Sequence, residues 1–310
     1  MRLLTFAVDG RPRTGLELQG RIVDLPVATA HLLGEGRAVP DDMKAFLQAG
    51  EPAMQAAAEV SRLVARAIAR GQELADSSAR PILYDPSQAR ILAPVPRPEK
   101  IICLGRNYAE HALEGGAEVP TIPQLFPKFA NAVVGPGDLV VIPEVVKQAD
   151  YECEMAVVIG RVARRVKPEE AYDCIAGYTM LNDVSARDLQ FEQPNWMRGK
   201  SVDTFAPMGP YIVTKDEIPD PHKLDIRLVL NGEVMQRANT SMLIFTVPFL
   251  VHHITKTITL VPGDVISTGT PSGVGIYRRP KRLLRPGDVM RVEVSGLGVL
   301  ENRVAAEEPV

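Results

Sequence analysis

Three carboxylates carry the chemistry this sequence could do. Two of them, Glu152 and Glu154, stand in the run Tyr151-Glu152-Cys153-Glu154-Met155-Ala156-Val157-Val158-Ile159-Gly160, and Asp183 follows. In a strand, alternate side chains share a face, so Glu152 and Glu154 project together while Tyr151, Cys153, Met155, Val157 and Ile159 line the other side. The acids' own face turns apolar at Ala156 and Val158, which places the pair beside buried surface. Two like charges ~6 Å apart at an effective dielectric of ~20 repel by roughly 3 kcal/mol. No Lys or Arg flanks them before Arg161, so a hard divalent cation held by oxygen ligands is the economical relief. Tyr178 to Leu181 reads as a short strand, and Ser185 with Asp188 as a helix start. Asp183 then sits at a strand end, from which it can reach the same ion. A solvated edge strand with Asp183 in a turn would account for the same residues.

A second pair is His111 and Glu114. Three residues apart on a helical turn they share a face, and the carboxylate can orient the imidazole and raise its basicity. Such a pair suits a general base for water, although a surface His and Glu on a loop would look the same. Gly115-Gly116, Pro120 and Pro123 follow, as expected of a segment (residues 109–123) that opens and closes. The stretch Thr268-Gly269-Thr270-Pro271-Ser272-Gly273-Val274-Gly275 lacks the Gly-Lys-Ser/Thr of a P-loop and is followed by Arg278-Arg279-Pro280 rather than a helix. It reads as a glycine-rich loop whose backbone and Thr270 hydroxyl approach a small anion, or as plain surface.

These groups need a scaffold. The 310 residues suit two domains, or one large domain with an appendage, and an apolar content of 45% supports a sizeable core. A formal charge of -3 points away from nucleic acid and acidic membranes. Cys103, Cys153 and Cys174 form no C-x-x-C pair and read as reduced, buried thiols. The apolar run before Asp9 is too short for a signal peptide and no segment is suited to span a bilayer, so a cytoplasmic protein is expected.

Residues 3–8 and 15–24 read as strands, turning at Asp9-Gly10 and Gln19-Gly20. Pro40-Asp41-Asp42 opens a short helix ending at Gly50, and Met54, Ala57, Val60, Val64, Ala67 and Ile68 recur at helical spacing between Pro52 and Leu74. Pro81, Pro86, Pro94, Pro96 and Pro98 interrupt residues 75–98, which sets a boundary near residue 90. A buried strand, Lys100 to Leu104, follows. Past Lys128 the chain is strand-rich, punctuated by Pro136-Gly137-Asp138, Pro262-Gly263-Asp264 and Pro286-Gly287-Asp288, in which Pro presets a turn and Gly supplies positive φ. Helices are expected over 168–176, ended by Gly177, and over 241–256. A strand at 224–230 precedes an Asn231-Gly232 hairpin turn. The fold class is mainly β with some helices (α+β): a small α+β domain at 1–90 and a larger one at 91–310.

Together these pieces resemble the fumarylacetoacetate hydrolase family. The match runs through Gly105-Arg106-Asn107-Tyr108, His111, Glu114, Lys128, Glu152/Glu154, Asp183, Ser185-Ala186-Arg187-Asp188, Gln190, Gly199-Lys200-Ser201 and Thr268 to Gly275, in family order over residues 100 to about 300. The resemblance implies a mixed β-roll, a homodimer, and Mg²⁺ or Mn²⁺ on Glu152, Glu154 and Asp183. It implies catalytic roles for His111, Glu114 and Lys200, and substrate contacts from Arg106, Tyr108, Lys128, Arg187, Gln190 and Thr270. The expected reaction is hydrolysis of a C–C bond in a 2,4-dioxo acid such as an acylpyruvate, through a metal-stabilised pyruvate enolate. Decarboxylation of oxaloacetate or isomerisation of a 2-hydroxy-dienedioate would use the same enolate. A metal-binding regulatory module without catalysis is the alternative from another class. A small dicarboxylate or dioxo acid is the expected partner.

Overall fold

The computed structural model describes residues 1–72, 74–76, 80–192 and 194–308. In chain order the elements that matter begin with strands β1 (Arg2–Val8), β2 (Arg11–Leu18) and β3 (Arg21–Asp24), then helices α1 (Leu25–Leu33), α2 (Met43–Gln48) and α3 (Glu51–Ala69). There follow β4 (Ile101–Gly105), α4 (Ala109–Glu114), β5 (Gln124–Lys128), β6 (Leu139–Ile142), β7 (Cys153–Ile159), β8 (Ile175–Asn182), α5 (Arg187–Glu192) and α6 (Met197–Lys200). The last are β9 (Ala206–Thr214), β10 (Asp225–Leu230), β11 (Glu233–Asn239), α7 (Val247–Thr255), β12 (Val265–Ser267), β13 (Val289–Val294) and β14 (Gly298–Ala306). The architecture is mixed and mostly strand.

One large sheet runs β3-β2-β1-β9-β8-β7-β12-β4-β5, and a second runs β11-β10-β13-β14-β6. The first crosses the expected boundary near residue 90, because β1 pairs with β9. Strand β7 lies inside the large sheet, antiparallel to both β8 and β12. Its alternation is as the sequence requires. Cys153, Met155, Val157 and Ile159 pack into the core shared with β10, β13 and α7. Ala156 and Val158 face the other way, onto the core built from α1, α2 and α3. Helices on one side and a second sheet on the other bury both faces of β7, which excludes the edge-strand reading of the two acids.

The three Pro-Gly-Asp turns share one geometry. Each glycine has positive φ (78°, 88° and 93° at Gly137, Gly263 and Gly287). Each Asp carboxylate accepts the N–H of the residue three before it: Gly135, Val261 and Arg285. The turns launch β6, β12 and β13. Asn231 and Gly232 both take positive φ, as a two-residue hairpin between β10 and β11 demands.

Four local expectations are corrected. Helix α1 was not anticipated, although Asp24 caps it and Pro26 opens it. Residues Pro168–Cys174 form a 3₁₀ helix, and Gly177 lies inside β8, where a Cβ would stand 2.2 Å from the Val213 carbonyl oxygen of β9. The helix expected at 241–256 is α7 preceded by a separate 3₁₀ turn at Thr240–Met242, which puts Pro248 in the first turn, where no N–H is needed. Ser185 opens no helix; with Ala186 it pairs against Ala149–Asp150, and α5 begins at Arg187. Among the described residues no helix is long and apolar enough to cross a membrane, and all three cysteines are free and buried.

Candidate active site

The ends of β7 and β8 are laced together by their backbones. The Asp183 N–H donates to the Glu152 carbonyl (2.8 Å), and the Glu152 N–H to the Asn182 side-chain oxygen (3.0 Å). This brings Glu152, Glu154 and Asp183 together, all buried, with one carboxylate oxygen of each within 4.8 Å of the others. Glu154 Oε2 accepts the Ser267 hydroxyl and the Gly269 N–H, while Glu154 Oε1 is buried with no hydrogen-bond partner among the described residues. An all-oxygen set containing an orphaned carboxylate oxygen fits a hard divalent cation.

The charge balance differs from the sequence expectation. Three bases arrive from distant segments, so a metal is not the sole relief. Lys200 Nζ lies 2.8 Å from Glu152 and 2.7 Å from Asp183; Lys128 Nζ lies 2.6 Å from Asp183; Arg187 contacts Glu152 at 2.7 Å and Asp150 at 2.9 Å. Local sequence could not reveal this, because β5, α5 and α6 meet β7 only in three dimensions. Burial raises the Glu152 carboxyl pKa, but Lys200, Arg187 and His111 outweigh it and hold the group below the usual range. Glu154 goes the opposite way. Burial, then the neighbouring Asp183 and Glu152, push it well above the usual value. Burial alone would lower Lys200, yet Asp183 and Glu152 raise it, so its ammonium stays charged.

A cleft opens above these acids, lined by Arg106, His111, Glu152, Arg187, Gln190, Lys200 and Thr270 with aromatic walls from Phe126, Phe191, Trp196 and Tyr277. Glu114 stands behind His111, its Oε1 2.8 Å from Nδ1, and its other oxygen accepts the Gly273 N–H at 2.9 Å. The imidazole is thereby held through Nδ1, and among the described residues Nε2 makes no hydrogen bond. Lys128 lies beneath the cleft on Asp183. Tyr108 does not reach it: the side chain is buried in the core, its hydroxyl has no partner among the described residues, and burial raises its pKa.

The glycine-rich loop spends its donors on the protein itself. Gly269 N serves Glu154, Gly273 N serves Glu114, and Gly275 N and Ile276 N serve Asp150. The Thr270 hydroxyl donates to the Cys153 carbonyl (3.0 Å) and accepts from Gln236 (2.8 Å). The loop therefore braces the acids.

Sequence reasoning missed three residues. Asp150 ties Arg187 to the loop, and its spacing of two from Glu152 was a legible signal. Gln236 of β11 accepts the Cys153 N–H (2.9 Å) between the two glutamates and donates to Thr270 and Pro271; nothing local marks it. Trp196, the chain's single tryptophan, walls the cleft.

The family model described as fumarylacetoacetate (FAA) hydrolase C-terminal matches residues 100–305. The chain belongs to the fumarylacetoacetate hydrolase family. It is 42% identical over 310 residues to the mitochondrial oxaloacetate tautomerase fahd2 of Xenopus laevis, covering 98% of this chain and 90% of that protein. Among solved structures it resembles a fumarylacetoacetate hydrolase from psychrophilic Exiguobacterium antarcticum (33% identity, TM-score 0.78, 99% and 100% coverage). It also resembles a maleylpyruvate hydrolase from Sphingobium sp. SYK-6 in complex with manganese(II) and pyruvate (29% identity, TM-score 0.74, 99% and 100% coverage). Members of this family thus include a tautomerase and hydrolases. The chain is an enzyme of this family, and its relatives do not single out C–C hydrolysis as its reaction.

Proposed function

We propose that the protein is a metal-dependent oxaloacetate tautomerase, interconverting the keto and enol forms of that acid. The observation that carries this reading is that His111, with Glu114 behind it, and the Lys200 ammonium line one cleft beside Glu152, the member of the three-carboxylate set that reaches it. The near full-length likeness to an oxaloacetate tautomerase supports it over the hydrolysis expected from sequence. Enolate formation is common to both reactions; tautomerisation needs only the proton transfers.

Glu152, Glu154 and Asp183 would hold Mg²⁺ or Mn²⁺, which when bound stabilises negative charge on a 2-oxo group and its carboxylate. In the keto-to-enol direction His111 Nε2 takes a proton from C3 and the enolate oxygen takes one from solvent, and both transfers run backwards toward the keto form, with Glu114 holding the ring and stabilising its charged form. Lys200 sits at the same acids and adds positive charge where the enolate oxygen forms. Gln190 accepts from Arg187 at 3.0 Å, which leaves its amide N–H groups for the substrate. Phe126, Phe191, Trp196 and Tyr277 restrict water around the carbanion.

The test follows the enol absorbance of oxaloacetate with Mg²⁺ and with EDTA, while pyruvate is assayed in parallel. Metal-dependent acceleration of keto–enol exchange without matching pyruvate release is the expected result. Pyruvate formed from oxaloacetate, or from an acylpyruvate, at the rate of substrate loss would instead make the enzyme a decarboxylase or a hydrolase.

A further inference from the structure

The cations lining the cleft are not equivalent. Lys200 and Arg187 are each bonded to two carboxylates, Glu152 with Asp183 and Glu152 with Asp150. Arg106 lines the same cleft, is half-buried, and among the described residues makes no ion pair or hydrogen bond to a carboxylate. Its guanidinium carbon lies 5.8 Å from the centre of the Trp196 ring, and that ring meets Phe126 edge-on at 5.3 Å. The position is built with care. Arg106 has a φ of 57°, a left-handed backbone that a non-glycine residue seldom adopts. The next residue anchors it: the Asn107 amide donates to the Phe245 and Thr268 carbonyls and accepts the Phe245 N–H. Gly105 leaves room for the indole, since a Cβ there would stand 2.7 Å from it. A guanidinium resting on an aromatic ring keeps its edge N–H groups free for a carboxylate, which it can grip with two parallel hydrogen bonds.

From this we propose that Arg106, on its Trp196 platform, is the specificity residue that selects diacids by binding the carboxylate far from the metal-ligand set. Oxaloacetate carries one carboxylate beside its 2-oxo group and another at C4. The first would be served by a metal held on Glu152, Glu154 and Asp183, together with Lys200. The second needs a cation not already neutralised, and Arg106 is the one the cleft offers among the described residues. For its substrate this inference rests on the oxaloacetate reading, but its binding test does not.

Trp196 is the only tryptophan in the chain, so its fluorescence reports on this cleft alone. We would titrate the Mg²⁺-loaded enzyme with L-malate and with 2-hydroxybutanoate, which has a methyl group in place of the far carboxylate. Wild type should bind malate more tightly by roughly 10–100-fold, the range of a hydrogen-bonded charge. Arg106→Met should bind the two acids about equally, and Arg106→Lys should retain only part of the preference. On oxaloacetate the Arg106→Met loss in kcat/KM should fall mainly on KM. A malate preference that survives in Arg106→Met, or a loss of equal size for both acids, would overturn the assignment. Should the wild type fail to accelerate oxaloacetate tautomerisation while its malate preference still depends on Arg106, the proposed reaction falls and the diacid selectivity stands.

Discussion

On the floor of the cleft every cation is matched and buried: Lys128 on Asp183, Lys200 between Glu152 and Asp183, Arg187 between Glu152 and Asp150. The wall facing it is built differently. There α4 leans on the glycine-rich loop through Glu114 to Gly273, Glu110 to Ser272 at 3.2 Å, and the close approach of Gly115 to the Tyr277 ring. The floor is an interlocked charge network inside a sheet, costly to alter because removing one partner strands another in low dielectric. The wall is a six-residue helix with His111 and Ala112 buried and solvent on its other side, and single contacts tie both its ends to the loop. In the proposed reaction the floor would fix charge and the wall would carry protons and admit substrate.

Four experiments would sharpen or break this division. Chelation should have the largest effect. EDTA is expected to abolish turnover, and Mg²⁺ at about 100 times its Kd should add about 2.7 kcal/mol to stability, read as a rise in Tm. Full activity in EDTA would remove the metal from the account.

On the wall, His111→Ala should lower kcat on the order of 10²–10⁴ with little change in Tm, because it removes the proton carrier from a half-open helix. Glu114→Gln should cost less, since the ring remains. A large drop in Tm for His111→Ala would mean that the wall is structural.

On the floor, two carboxylates of one metal set should part company in the metal-free protein. Asp183→Asn leaves Lys128 and Lys200 short of a buried partner and should destabilise by about 3–5 kcal/mol. Among the described residues Glu154 forms no ion pair, and burial, followed by two neighbouring carboxylates, raises its pKa. Glu154→Gln should therefore hold Tm or raise it. Thermal melts in EDTA decide this, and equal losses for both variants would contradict the charge network described above.

The smallest effect is dynamic. Oxalate with Mg²⁺ should slow hydrogen exchange in residues 109–123 while leaving β7 and β8 unchanged. Equal protection of 109–123 with and without oxalate would argue against a moving wall.

Much of this was legible in the order of residues. Glu152 and Glu154 on one face of a strand follow from a period of two, and the apolar residues between and beyond them place that strand in a core. The Pro-Gly-Asp turns, the Asn231-Gly232 hairpin and helix α3 are likewise local, set by backbone preference and by hydrophobic spacing. His111 and Glu114, three apart, needed only a helical turn to meet. What the tertiary structure alone decided is the charge state of the site. The bases that neutralise Glu152 and Asp183 come from residues 128, 187 and 200. Gln236 reaches Cys153 from a different sheet, and Trp196 meets Arg106 across the cleft. None of these contacts is periodic. Each arises where chain segments far apart in sequence are brought within a few ångströms by sheet pairing and core packing, and at that range desolvation and charge outweigh any local preference.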